Sequence, residues 1–234
     1  MQSKLLIVQQ YFGSGDAIFG QTIANDFIMA GYKVLWPIMP GSVEGFNRAY
    51  PNVTFIDYNL VKINYENKEY KEIDGILHLP MRYSESLMGK PYKFHMESKY
   101  SYLGKDWRTW KTGGIYKRDS RKESDLMKLL DIDDGEPYNL ISTIFGTGGQ
   151  HKIEISINND YKNIEMRSIE SFSLFDWGKV IENAREIHAV SSASLYLFEL
   201  LDLHCPIHLY CRKPLEANFQ FVEFLFSKPY ILHQ

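Results

Sequence analysis

Cysteine is scarce: Cys205 and Cys211 are the two thiols in 234 residues. Two are too few for a disulfide framework, so the expected setting is a reducing cytoplasm. Long hydrophobic runs are missing as well. No stretch approaches the roughly 18–20 consecutive apolar residues of a helical membrane span, so none is expected. The opening MQSKLLIVQQ carries one lysine and an apolar run too short for a secretory signal. Positive charge is not in excess either. Lys and Arg total 26 against 29 Asp and Glu, for a net charge of −3, which argues against a broad nucleic-acid-binding face. Low-complexity tracts and short repeats are absent. What is present is an ordinary globular composition, 44% hydrophobic and 24% charged, which excludes wholesale disorder. Aromatics are plentiful at 15%, with 16 Tyr and 14 Phe. Such residues line sugar- and base-binding clefts, but they also fill cores.

The order of patterns suggests alternating strands and helices. KLLIVQQ (4–10) is a short apolar run, followed by the turn residues YFGSGD and the helical pattern AIFGQTIANDFIMAG. Phe19, Ile23 and Phe27 recur at helical spacing, and Gly31 is a natural C-terminal stop. YKVLWPIM and NVTFIDYN read as second and third strands, with EGFNRAYP as a short helix between them. This order predicts a parallel sheet with crossover helices, a Rossmann-like topology. VKINYENKEYKEID suggests an exposed hairpin around Glu66-Asn67, GILHLPM a further buried strand, and FHMESKYSYLG a helix. The charged run KRDSRKESD resembles a solvated linker, and the acidic Gly-Pro break after it suggests a boundary between domains 1–133 and 134–234. The pattern then restarts: strands at YNLISTIF, HKIEISI, NIEMRSI, REIHAV and PIHLYCR, with helices at SLFDWGKVIENA, SSASLYLFELLDL and EANFQFVEFLFS. The fold class expected is α/β, built from two small Rossmann-like domains.

Three segments carry candidate chemistry. Gly13-Ser14-Gly15-Asp16 joins the first strand to the first helix. Its glycines permit close approach of a ligand to the backbone, which makes Gly15 a candidate contact. A dinucleotide fingerprint fails because Ile18 stands where its third glycine belongs, and a phosphate loop fails because Gln21 replaces the lysine. Asp16 is either a general base or the cap of the helix. Ser191, Ser192 and Ser194 occupy a second strand-to-helix switch, where hydroxyls and free N–H groups suit a diphosphate, or simply cap the helix. Phe145-Gly146-Thr147-Gly148-Gly149-Gln150-His151-Lys152 is a flexible turn carrying a cation, or a hairpin with a solvated lysine. Other patterns fail. His204-Cys205-Pro206-Ile207-His208-Leu209-Tyr210-Cys211 resembles a metal cluster, but Cys205 and Cys211 would lie about 20 Å apart on a strand at roughly 3.3 Å per residue, too far for one metal, so these read as structural residues. His95-Met96-Glu97 lacks the Pro-Cys-x-x-Cys partner of a deaminase.

The opening strand–Gly-x-Gly-Asp–helix block (about 4–31) and the late strand–serine turn–helix–Pro–strand block (about 176–213) resemble GT-B glycosyltransferases. The closest likeness is to the heptosyltransferase-like group, glycosyltransferase family nine. The resemblance implies two such domains facing across a cleft, reduced in size here. It implies Asp16 as the base and the serine block as the cradle of the donor diphosphate. That block, usually Asp-Thr-Gly-Leu-Ser-His in the family, reads Ser191-Ser192-Ala193-Ser194-Leu195-Tyr196 here; Ser192 keeps a hydroxyl while the Asp, Gly and His are absent. Lys152 maps loosely onto a family lysine, and Met166 and Arg167 are candidate donor contacts by location. The implied reaction is an inverting transfer from a nucleotide-sugar to a hydroxyl acceptor such as a glycan, with no metal and no resident cofactor. Two other readings stay open: a nucleotide-sugar epimerase, and a non-catalytic nucleotide- or glycan-binding protein.

Overall fold

The computed structural model describes residues 4–10, 13–61, 71–81, 90, 92–146, 151–157, 160–212 and 225–233. It is a mixed α/β protein of two compact units, Met1–Lys117 and Arg118–Gln234. Among the described residues no helix is long and apolar enough to cross a membrane.

In the first unit, β1 (Lys4–Gln9) leads into helices α1 (Ser14–Phe19) and α2 (Gln21–Met29) and then β2 (Tyr32–Ile38). Helix α3 (Val43–Ala49), β3 (Thr54–Asp57), β4 (Lys71–Ile73) and β5 (Ile76–Pro80) follow, then α4 (Tyr92–Ser101) and α5 (Trp110–Gly114). The sheet order is β3-β2-β1-β5-β4. Its first four strands are parallel, as the alternating pattern predicts, and β4 adds antiparallel to β5. The single helix expected over 17–31 is instead two, meeting at Gly20. The Trp36 ring fills the space beside Gly20, with Cη2 2.4 Å from where a Cβ would stand. The hairpin turns at Asp74-Gly75, whose φ angles of 52° and 77° match a two-residue turn with both centres left-handed. The turn expected at Glu66-Asn67 lies outside the described residues.

The second unit opens with α6 (Ser120–Leu129), then β6 (Tyr138–Ser142), β7 (Ile144–Phe145), β8 (His151–Lys152) and β9 (Lys162–Glu165). A 3-10 turn (Leu174–Trp177), α7 (Gly178–Glu182), β10 (Glu186–Val190), α8 (Ala193–Leu200), β11 (Ile207–Tyr210) and β12 (Ile231–His233) complete it. All five strands of the order β12-β11-β10-β6-β9 are parallel. HKIEISI forms a strand only at His151–Lys152, paired antiparallel with β7. The tail strand β12 was not foreseen, and the helix expected over 216–227 lies mostly outside the described residues.

The charged run 117–125 leads into α6, and the chain passes from the first compact unit to the second at 117/118. Arg118 donates to both carboxylate oxygens of Glu123, at 2.7 and 2.6 Å, and to Glu182 at 2.8 and 2.7 Å. Lys122 Nζ reaches the Ser171 carbonyl at 2.8 Å. These bonds hold α6 to its own unit, and the Glu123 hydrogen bond raises the guanidinium pKa above its ordinary value. Because Glu123 is 3% exposed, Arg118→Ala should destabilise the chain by about 2 kcal/mol. That lies between a surface pair and a fully buried one, since Arg118 itself is partly solvated. A urea melt with an unchanged midpoint would show the bridge to be decorative.

Aromatic side chains account for much of the first core. Trp36 stacks on Phe55 at 6.0 Å, Phe46 meets Phe55 at 4.9 Å, and Phe19 packs edge-on against Tyr100 at 5.1 Å. The Tyr100 hydroxyl donates to the Phe19 carbonyl at 2.5 Å, so its polar end is satisfied inside. In the second unit Tyr138 does the same with the Val180 carbonyl at 2.6 Å.

Candidate functional site

In an open parallel sheet, ligands bind beyond the carboxyl ends of the strands, where the chain has wound outward in both directions from adjacent strands. In the first unit that point lies between β1 and β5. Asp16 stands there, but not as a cap. Gly13 is the N-cap of α1, and Asp16 sits two residues inside the helix, after Ser14 and Gly15. Its carboxylate folds back over the turn, with Oδ2 2.8 Å from where a Gly13 Cβ would be. Glycine at 13 is therefore what leaves room for it. Gly15 is buried in the first turn.

The partner of Asp16 comes from α4. Lys99 is 2% exposed, and its Nζ lies 3.0 Å from Asp16 Oδ1 and 2.7 Å from the Met81 carbonyl. Met81 continues β5, its N–H donating to the Gln9 carbonyl at 2.8 Å. The carboxylate–ammonium pair thus sits on the ends of the two central strands. Next to Gln9 in sequence, Gln10 is 1% exposed, and neither atom of its amide has a hydrogen-bond partner among the described residues. Neither Lys99 nor Gln10 was singled out from the sequence. One signal was available for the lysine: it falls three residues after Met96 and beside Tyr100, on the buried face of its helix.

In the second unit the corresponding point lies between β6 and β10. Ser192 is the N-cap of α8, yet its side chain makes no capping bond. Its hydroxyl instead meets Ser194 Oγ at 2.8 Å, and Ser194 Oγ meets Ser142 Oγ, at the end of β6, at 2.9 Å. Ser191 is buried alongside. Thr143 follows Ser142. It is fully buried, and its Oγ1 has no partner among the described residues. Of the three serines that the sequence singles out, Ser192 and Ser194 belong to this hydrogen-bonded chain. Ser142, which joins them from the end of β6, and Thr143 after it carry no such signal.

The remaining candidates are not joined to the serines by hydrogen bonds among the described residues. Lys152, on β8, is held 2.8 Å from Glu165 and 3.8 Å from Glu154. The Glu165 hydrogen bond raises its pKa. Met166 is buried, its N–H extending the β9–β6 ladder to the Ile141 carbonyl at 2.7 Å. Arg167 is exposed. Residues 147–150 of the glycine-rich turn lie outside the described residues.

Chemically, the first unit offers a carboxylate held by a buried ammonium, and the second a chain of hydroxyls at a helix start. No protein-family model matches this chain, and no curated protein matches it. A solved structure, the crystal structure of the glycosyl transferase family 9 from Veillonella parvula DSM 2008, is similar over 100% of this chain and 87% of that chain, with a TM-score of 0.49 and 9% sequence identity.

Proposed function

We propose that this protein is a glycosyltransferase that moves a sugar from a nucleotide-sugar to a hydroxyl acceptor such as a glycan, with inversion and without a metal at the diphosphate. The observation that carries the reading is the hydrogen-bonded hydroxyl chain of Ser142, Ser194 and Ser192 at the switch point of a parallel sheet, with the buried Thr143 hydroxyl next in sequence to Ser142 and without a partner among the described residues. A fully buried hydroxyl left without a partner costs about 1–3 kcal/mol, and a bound ligand would recover it.

In this reading the diphosphate takes hydrogen bonds from these hydroxyls and from the first N–H groups of α8, with Ser191 shaping the turn. Lys152 and Arg167 supply positive charge, Met166 borders the base, and Gly15 permits close backbone approach. Asp16 removes the proton of the acceptor hydroxyl as that oxygen bonds to the anomeric carbon. The bond from that carbon to the diphosphate breaks, and its electron pair leaves with the nucleotide. Lys99 positions the carboxylate.

The test is a thermal-shift series with nucleoside diphosphates and their sugars. A ligand at 100 times its dissociation constant stabilises the folded state by about 2.7 kcal/mol. Thr143→Val provides the discriminating variant. Without ligand it should be as stable as the parent or more so by about 1 kcal/mol, because it replaces an orphaned hydroxyl by a methyl group. With ligand it should bind roughly tenfold more weakly. A panel with no stabilising nucleotide, or a valine variant that binds like the parent, would remove the basis of the proposal.

A further inference from the structure

A second polar cluster lies on one face of the β10–β12 sheet. His188 and His208 are register partners on adjacent parallel strands, and Glu186 stands two residues before His188, hence on the same face. One ligand atom from each of the three lies within 4.8 Å of the others. Glu186 Oε2 is 3.3 Å from His188 Nε2 and 4.0 Å from His208 Nε2. Two ligand atoms of a tetrahedral zinc ion, at bonds of about 2.0–2.1 Å, stand about 3.3 Å apart.

The other nitrogens of both rings are already engaged. His188 Nδ1 is 3.0 Å from the Tyr210 hydroxyl, and His208 Nδ1 is 2.8 Å from His233 Nε2. If each Nδ1 carries the proton and donates it, both Nε2 lone pairs are directed to the glutamate side. That is the outer-shell arrangement by which proteins set the tautomer of metal-ligating histidines. His233 is further steadied by Tyr210, whose ring stacks on it at 4.4 Å.

We propose that Glu186, His188 and His208 form a binding site for a divalent d-block cation, zinc being the ion that two imidazoles and a carboxylate suit best. Three protein ligands leave a fourth position for water or an anion. The His188 and His208 rings stack at 4.6 Å and 12° from parallel, so binding must tilt them until their lone pairs converge. Glu186 opens β10 whereas Ser192 follows its end, about 20 Å further along an extended chain. The cation therefore takes no part in the proposed diphosphate contacts. The sequence predicts no metal: the string His204–Cys211 contains His208 but fails on the distance between its cysteines, and nothing local brings His188 and Glu186 to it.

The experiment uses the full chain, freed of any affinity tag and treated with chelator. Titration calorimetry with Zn²⁺ should give one ion per chain, and Co²⁺ should produce the visible absorption of a four-coordinate site. His208→Gln should abolish both signals, and Tyr210→Phe should weaken binding by about 10–100-fold. Circular dichroism of each metal-free variant verifies folding, with Glu186→Gln as the second ligand variant should His208→Gln not fold. Absence of saturable binding by the parent, or parent-like binding by the folded ligand variants, overturns the site.

Discussion

Asp16→Asn is expected to destabilise the protein by about 3–5 kcal/mol, and Lys99→Met by less, about 2–4 kcal/mol. The asymmetry follows from burial. The Lys99 side chain is 2% exposed and the Asp16 side chain 19%. Removing the carboxylate charge strands an ammonium away from water, whereas removing the ammonium leaves a carboxylate that water can still reach. The double variant should be more stable than the sum of the two losses predicts, because it strands neither charge. Urea melts of the four proteins measure the coupling, and losses below about 1 kcal/mol in both singles would show the pair to be solvent-screened after all. The same pair governs how the catalytic proposal must be tested. If Asp16 is the base, Asp16→Asn should lower kcat by about 10²–10⁴-fold, but only a protein shown to be folded under assay conditions makes that loss informative.

Gly113→Ala should be at least as damaging, costing more than about 3 kcal/mol. A Cβ there would lie 2.3 Å from Thr22 Cα and Oγ1 and 2.4 Å from Thr22 N. These are mostly backbone atoms of α2, so no rotamer change relieves the overlap. The approach is close because the Gly113 N–H donates to Thr22 Oγ1 at 3.1 Å, and that hydroxyl reaches the Thr109 carbonyl at 3.0 Å. Gly41 has open space where its Cβ would be, and Gly41→Ala should change stability by no more than about 0.5 kcal/mol. Equal melting temperatures for the two variants would refute the packing account.

Local periodicity made much of the fold legible. The runs at 4–9, 32–38, 54–57, 138–142, 186–190 and 207–210 are apolar enough to read as buried strands, and helical patterns separate most of them. Parallel pairing then follows from the crossover rule. Gly31 marks the end of the α2 region because its φ of +88° is one that glycine adopts freely. Charge density along 117–125 reads locally as solvation. Nothing local distinguishes a solvated arginine from Arg118, whose acceptors include a glutamate 3% exposed.

The serine turn was legible for the same reason as the strands: Ser191, Ser192 and Ser194 lie within four consecutive positions, and strand-to-helix turns have a recognisable local chemistry. Ser142 and Thr143, the lysine beside Asp16, and the pairing of His188 with His208 had no such signature. Each depends on which strands and helices lie side by side in the folded unit and on how they are aligned. The order of residues along the chain determined the strands, the helices and the turns that join them, because backbone preference and hydrophobic period act over a few residues. Sheet packing alone decided which polar groups were buried together, because that requires strands and helices remote in sequence to come within hydrogen-bond distance.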